Sequence, residues 1–92
     1  MTGTVTRDFE IINVKGLHAR ASAKFVDVVE RFDAQAHVEK DGQGVSGDSI
    51  MGLLMLTAPR GSEIRVTTSG PQAVELADAL EALVKDYFGE GM

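Results

Sequence analysis

The spacing of apolar residues changes at Lys15-Gly16, and no other feature constrains the fold of this chain as strongly. Before that point Arg7 to Val14 reads R-D-F-E-I-I-N-V; Phe9 and Ile11 alternate with polar neighbours, Ile12 adds a second apolar side, and a first strand is predicted. After it Phe25, Val28, Val29 and Phe32 fall at i, i+3, i+4 and i+7 on one face, which predicts a first helix over Ala19 to Phe32. Ala36 and Val38 then alternate within Gln35 to Glu39, Asp41-Gly42 is a hairpin turn signal, and Gln43 to Ser46 can return antiparallel. Ser49 is a good N-cap for a short apolar helix from Ile50 to Leu56, ended near Ala58-Pro59 because proline cannot continue it. Glu63 to Thr67 alternates Ile64 and Val66 with polar residues. Beyond the Ser69-Gly70-Pro71 break, Ala73, Leu76, Ala77, Leu80, Leu83, Val84 and Tyr87 recur at helical spacing.

The predicted order is therefore βαββαβα, an α+β fold that packs most simply as an open-faced β-sandwich, with a four-stranded, mainly antiparallel sheet covered on one face by three helices. The other face stays wet. Residues 1–92 are expected to form one domain, with 89–92 frayed. Folding of so short a chain buries only about two-thirds of its surface, so chemistry is expected at the surface or in a shallow dent. The chain has no cysteine, which removes disulfides, thiolate catalysis and sulfur-ligated metals and suits the cytoplasm. Met1 to Thr6 lacks the apolar run of a signal peptide, and no stretch is long and apolar enough to span a bilayer. A soluble, cytoplasmic monomer is expected.

A net charge of −5 argues against nucleic acid as a partner, because phosphate backbones demand a basic face. The charge is unevenly distributed. Val14 to Val26 carries Lys15, Arg20 and Lys24 without a single Asp or Glu, and His18 lies at its centre. The string Gly16-Leu17-His18-Ala19-Arg20 falls at the strand-to-helix junction, so His18 sits at or beside the N-cap of the first helix. The first N–H groups of a helix have no partner within it, and with the macrodipole they form an anion site made of the Ala19 and Arg20 backbone. The positive helix end disfavours a cationic imidazole and leaves a ring-nitrogen lone pair available for attack on phosphorus. Arg20 supplies a guanidinium suited to phosphoryl oxygens, and Gly16 allows a sharp turn that leaves the ring accessible. No acid or base partner for His18 is apparent, which argues against a histidine-dependent hydrolase. Two histidines on separate elements, His18 and His37, make a poor metal site, and no phosphate-binding G-x-x-x-x-G-K loop exists, so neither metal nor cofactor is expected.

Asn13 to Val26, N-V-K-G-L-H-A-R-A-S-A-K-F-V, resembles the active-site segment of the HPr family, the histidine phosphocarriers of the bacterial phosphotransferase system and their nitrogen-branch paralogues. Ser49-Ile50-Met51-Gly52-Leu53-Leu54 resembles the family's second signature, and the βαββαβα order covers nearly the whole chain. The resemblance implies a carrier rather than a stand-alone enzyme: His18 takes phosphate on Nδ1 from the phosphoenolpyruvate-dependent kinase Enzyme I and passes it to IIA-type proteins, with Arg20 as the matching arginine. The family commonly has proline directly after that arginine, whereas this chain has Ala21, a change expected to alter local rigidity rather than remove the nucleophile.

Ser49 resembles the residue that a dedicated HPr serine kinase phosphorylates in some bacterial groups, although as an N-cap alone it contributes about 1 kcal/mol. Phosphate there would meet a favourable dipole yet add about two negative charges to a docking surface. The second helix is apolar nearly all round, so part of it must be exposed; by resemblance Ile50, Met51 and Leu54 dock the partners, together with Lys24, and methionine supplies adaptable packing. Two other readings stay open. In one, phosphorylated His18 serves mainly as a signal in nitrogen or carbon regulation, with Ser49 as a switch. In the other, G-L-H-A-R is coincidental and the apolar helix is an interaction surface.

Overall fold

The computed structural model describes residues 3–91. Its elements are β1 (Gly3–Glu10), α1 (Ala19–Glu30), β2 (Gln35–Lys40), β3 (Gln43–Ser46), α2 (Ile50–Met55), β4 (Glu63–Gly70) and α3 (Ala73–Lys85), followed by a 3-10 turn over Tyr87–Gly89. This is the βαββαβα order that the sequence predicts. The strands form one sheet in the order β1-β4-β2-β3, and every neighbouring pair is antiparallel.

The largest shift from the predicted boundaries is in β1, expected over Arg7 to Val14 and found over Gly3–Glu10. Its extent is set by its partner: β4 pairs with it residue by residue, from Gly3 opposite Gly70 to Glu10 opposite Glu63. Thr4 and Thr6 are exposed, so apolar alternation could not mark them as strand. Ile11 still exchanges backbone bonds with Ser62 and Gly61, at 2.8 and 2.7 Å, before the chain turns at Asn13. The hairpin turn has positive φ at both Asp41 and Gly42, the two-residue geometry that follows strand twist.

One face of the sheet is covered. Phe9, Ala36, Val38, Ile64 and Val66 are buried beneath Phe25 and Val29 of α1, Leu53 of α2, and Leu76 and Leu80 of α3. Arg7 ties β1 to α3 through Asp78 and Glu81, at 2.8 and 2.9 Å. The opposite face is polar, with Asp8 accepting from Arg65 at 2.9 Å and the Thr6 and Thr67 hydroxyls 3.2 Å apart. His37 lies there as well, its ring over Gly44, where a Cβ would come within 2.5 Å of Nε2. Among the described residues no helix is long and apolar enough to cross a membrane.

The chain end departs from expectation. α3 stops at Lys85, and Tyr87 and Phe88 both take left-handed conformations, with φ of 56° and 53°, that turn the chain back toward α1. Phe88 is completely buried in the core. Gly89 and Glu90, expected to fray, donate to Asp86 and Tyr87 at 2.8 and 3.0 Å; Met92 lies outside the described residues. The burial of an aromatic ring holds a segment that the glycines alone would leave loose. Replacing Phe88 with Ala is expected to cost about 3–5 kcal/mol in urea unfolding, as for other buried aromatics. A loss below about 1 kcal/mol would show that this turn lies outside the cooperative core.

Candidate functional site

The loop between β1 and α1 is shaped by two constraints on Gly16. Its φ is +67°, and a Cβ there would lie 2.4 Å from the Ala58 carbonyl oxygen and 2.9 Å from Pro59 Cα. Only glycine meets both without moving backbone. The neighbouring Leu17 is buried and donates its N–H to the Ala58 oxygen at 2.9 Å, and Asn13 Nδ2 donates to the Gly16 oxygen at 2.8 Å. The loop is therefore clamped from both sides, by the segment after α2 and by the turn after β1.

His18 emerges from this clamp as the N-cap of α1, with extended backbone, φ −79° and ψ −176°. Its carbonyl accepts the Ser22 N–H at 2.8 Å. Its side chain performs the capping usually done by serine or aspartate: Nδ1 accepts the Arg20 N–H at 3.2 Å. The neighbouring N–H groups of Ala19 and Ala21 donate to no protein acceptor among the described residues. The ring is partly exposed, and Nδ1 presents its lone pair where α1 is most positive.

The other ring nitrogen is also held. Nε2 lies 2.6 Å from Glu90 Oε2, and because a carboxylate can only accept, the hydrogen between them belongs to Nε2. Asn13 Nδ2 donates to the second carboxylate oxygen at 3.2 Å. Burial pushes the Glu90 carboxyl up, but the hydrogen bonds from His18 and Asn13, with the nearby charge of Lys24, outweigh it and hold the group below the usual carboxylate range. Glu90 is thus ionised near neutral pH. The Asn13 amide is wholly buried, and its Oδ1 has no partner.

Sequence reasoning missed Glu90. It stands 72 residues from His18, in a segment read as frayed, and no local pattern links them. The available signal was the apolar pair Tyr87-Phe88 before Gly89, which places a burial anchor at the chain end. The basic residues do gather as anticipated: Lys15, Arg20 and Lys24 line a shallow dent with Val14, Gly89 and Glu90. The Arg20 guanidinium makes no hydrogen bond or ion pair with the described residues, whereas Lys24 Nζ donates to the Phe88 carbonyl at 2.7 Å and helps anchor the chain end.

Ser49 caps α2, its Oγ accepting the Gly52 N–H at 3.0 Å. Asp48 turns back to accept from Ser46 at 2.6 Å. On α2, Leu53 is buried, Leu54 is half-buried, and Ile50, Met51 and Met55 are exposed. The exposed patch is therefore Ile50, Met51 and Met55, with Leu54 less accessible than the sequence suggests. Among the described residues no group of three or more His, Cys, Asp or Glu side chains is placed to hold a metal ion.

Comparison with known proteins gives this geometry its context. Residues 5–86 match the family model for the HPr component phosphorylation site of the phosphotransferase system. The phosphocarrier protein HPr of Cupriavidus necator is 47% identical over 85 residues, spanning 92% of this chain and 96% of the relative. The phosphocarrier protein NPr of Escherichia coli is 36% identical over 88 residues, spanning 95% and 98%. The crystal structure of an HPr from Thermoanaerobacter tengcongensis superimposes with a TM-score of 0.91 at 36% identity, covering 96% of this chain and 99% of that one. A capping histidine beside unpaired helix N–H groups, on this fold and with these relatives, leads to one assignment: the chain belongs to the HPr family, the phosphocarrier proteins of the phosphotransferase system.

Proposed function

We propose that His18 accepts a phosphoryl group on Nδ1 from phosphorylated Enzyme I and passes it to IIA-type proteins. The observation that carries this reading is the disposition of the two ring nitrogens, with Nε2 hydrogen-bonded to Glu90 and Nδ1 holding a lone pair against the first turn of α1. In the transfer, that lone pair forms the bond to phosphorus while the bond between phosphorus and the donor breaks. The Arg20 N–H then exchanges its contact with Nδ1 for a phosphoryl oxygen, joined by the open N–H groups of Ala19 and Ala21. The Arg20 guanidinium meets the remaining oxygens from the dent, where no other described residue competes for it.

Docking falls to the exposed apolar residues of α2, Ile50 and Met51, with Leu54 at their edge. The Ala58-Pro59 segment that follows α2 also carries the His18 loop, so a partner seated on α2 is directed toward the ring. Lys24 contributes charge to this surface while remaining tied to Phe88. Ser49 serves as a regulatory phosphorylation site in the same proposal, since a phosphate on its Oγ would replace the cap on Gly52 and charge the docking helix. The carrier acts as a monomer in the cytoplasm. Likeness to the Escherichia coli NPr favours a second reading, in which the output is regulatory. The two are separated by which IIA protein drains the phosphate.

Incubation with Enzyme I and phosphoenolpyruvate is expected to add one acid-labile, base-stable phosphate by mass, and His18→Ala to lose it entirely at a cost of about 1 kcal/mol for the missing cap. Labelling that survives in His18→Ala would refute the site. Arg20→Ala is expected to slow acceptance about 100-fold without abolishing it, the scale seen when one charge-stabilising donor is removed. Met51→Asp is expected to weaken transfer from Enzyme I about tenfold, a loss of one well-packed apolar contact, while leaving labelling by the small donor phosphoramidate unchanged.

A further inference from the structure

We propose that Glu90 is a positioning residue for His18, whose carboxylate keeps Nε2 protonated and balances the positive charge that the ring acquires when Nδ1 takes the phosphoryl group. The inference rests on the carrier reading above. The charge follows from the bonds: Nδ1 has no proton to release, since it accepts the Arg20 N–H, and Nε2 keeps its own on Glu90. When the Nδ1 lone pair closes on phosphorus, the leaving group departs with the electron pair of its bond and the ring becomes a cation. A carboxylate behind a histidine supports the same change of charge in acyl transfer.

The surroundings make that support necessary. The charged groups lining the dent beside the ring are Lys15, Arg20, Lys24 and Glu90, so among the described residues that line it Glu90 is the one anion beside a ring that otherwise turns cationic among cations. It acts on the ring edge opposite the phosphoryl group, where it stabilises the imidazolium without occupying the anion site.

The chain end is built to deliver this carboxylate. Tyr87 and Phe88 occupy the left-handed region in succession, a conformation that aromatic residues rarely adopt, and local strain of this kind concentrates at functional sites. Phe88 is sunk in the core and its carbonyl is held by Lys24 at 2.7 Å. Asn13 secures Oε1, which leaves Oε2 pointed at Nε2. Asn13 thereby links the loop before His18 to the residue behind it.

The test compares the unmodified chain with Glu90→Gln, which retains shape and a hydrogen-bond acceptor but not the charge. Phosphoramidate is the donor, so that no docking partner intervenes: the Nδ1–P bond forms, the P–N bond of phosphoramidate breaks, and ammonia leaves. Initial labelling is followed by mass, and the 15N shift of Nε2 is read in the phosphorylated protein near pH 8. Glu90→Gln is expected to label about tenfold more slowly, the difference between a charged and a neutral hydrogen-bond partner, and to move Nε2 toward its neutral-ring shift. Glu90→Asp is expected to recover part of both. Labelling within twofold of the unmodified chain, or an unmoved Nε2 shift, overturns the role of Glu90. An unmodified chain that stays unlabelled on His18 overturns the carrier reading itself.

Discussion

The approach of Gly16 to the backbone of Ala58 and Pro59 is the contact on which the functional end of the molecule depends. It is possible only because glycine has no Cβ and accepts a positive φ, and it brings Leu17 into the core within bonding distance of the Ala58 carbonyl. With Leu17 fixed, the next residue leaves the surface at one angle, and that residue is His18. A side chain that would otherwise sample several rotamers is then held at both nitrogens, by Arg20 on one side and Glu90 on the other. In the proposed transfer the ring is ordered before any phosphoryl group arrives, so a small open surface can position a nucleophile without a cleft.

Placement at a helix N-terminus gives the chemistry its sign. Unpaired N–H groups and the macrodipole favour anionic oxygens at the position where Nδ1 points, and the basic dent extends the same preference outward. An acidic protein, at −5 overall, thereby presents a locally basic acceptor. The strap from Tyr87 to Glu90 introduces one negative group into that field, on the far edge of the ring. In the proposed transfer, positive groups face the phosphoryl oxygens, and a negative group faces the ring that would carry them. The division matches the charges that form when phosphorus binds nitrogen.

How much of this was legible in the sequence follows from how far apart the interacting residues lie. The change of apolar period at Lys15-Gly16 located the junction and hence His18, because both signals are local. Ser49 as an N-cap and Asp41-Gly42 as a turn were equally readable, each depending on a few consecutive residues. The start of β1 was not, since Thr4 and Thr6 are strand only because β4 pairs with them. Glu90 was invisible for a stronger reason: its position is set by a buried aromatic, two left-handed residues and a buried asparagine from the other end of the chain. On α2, helical periodicity showed that some apolar residues must be exposed, but which ones depended on the side that packs against α1, and this left Met55 outside and Leu54 half-covered.

The most direct test of the central claim is to label the protein with 15N-histidine, phosphorylate it with Enzyme I and phosphoenolpyruvate, and find the nitrogen that acquires a one-bond coupling to 31P. The coupling is expected on Nδ1 of His18 and nowhere else. Coupling on Nε2 of His18, or on His37, would contradict it.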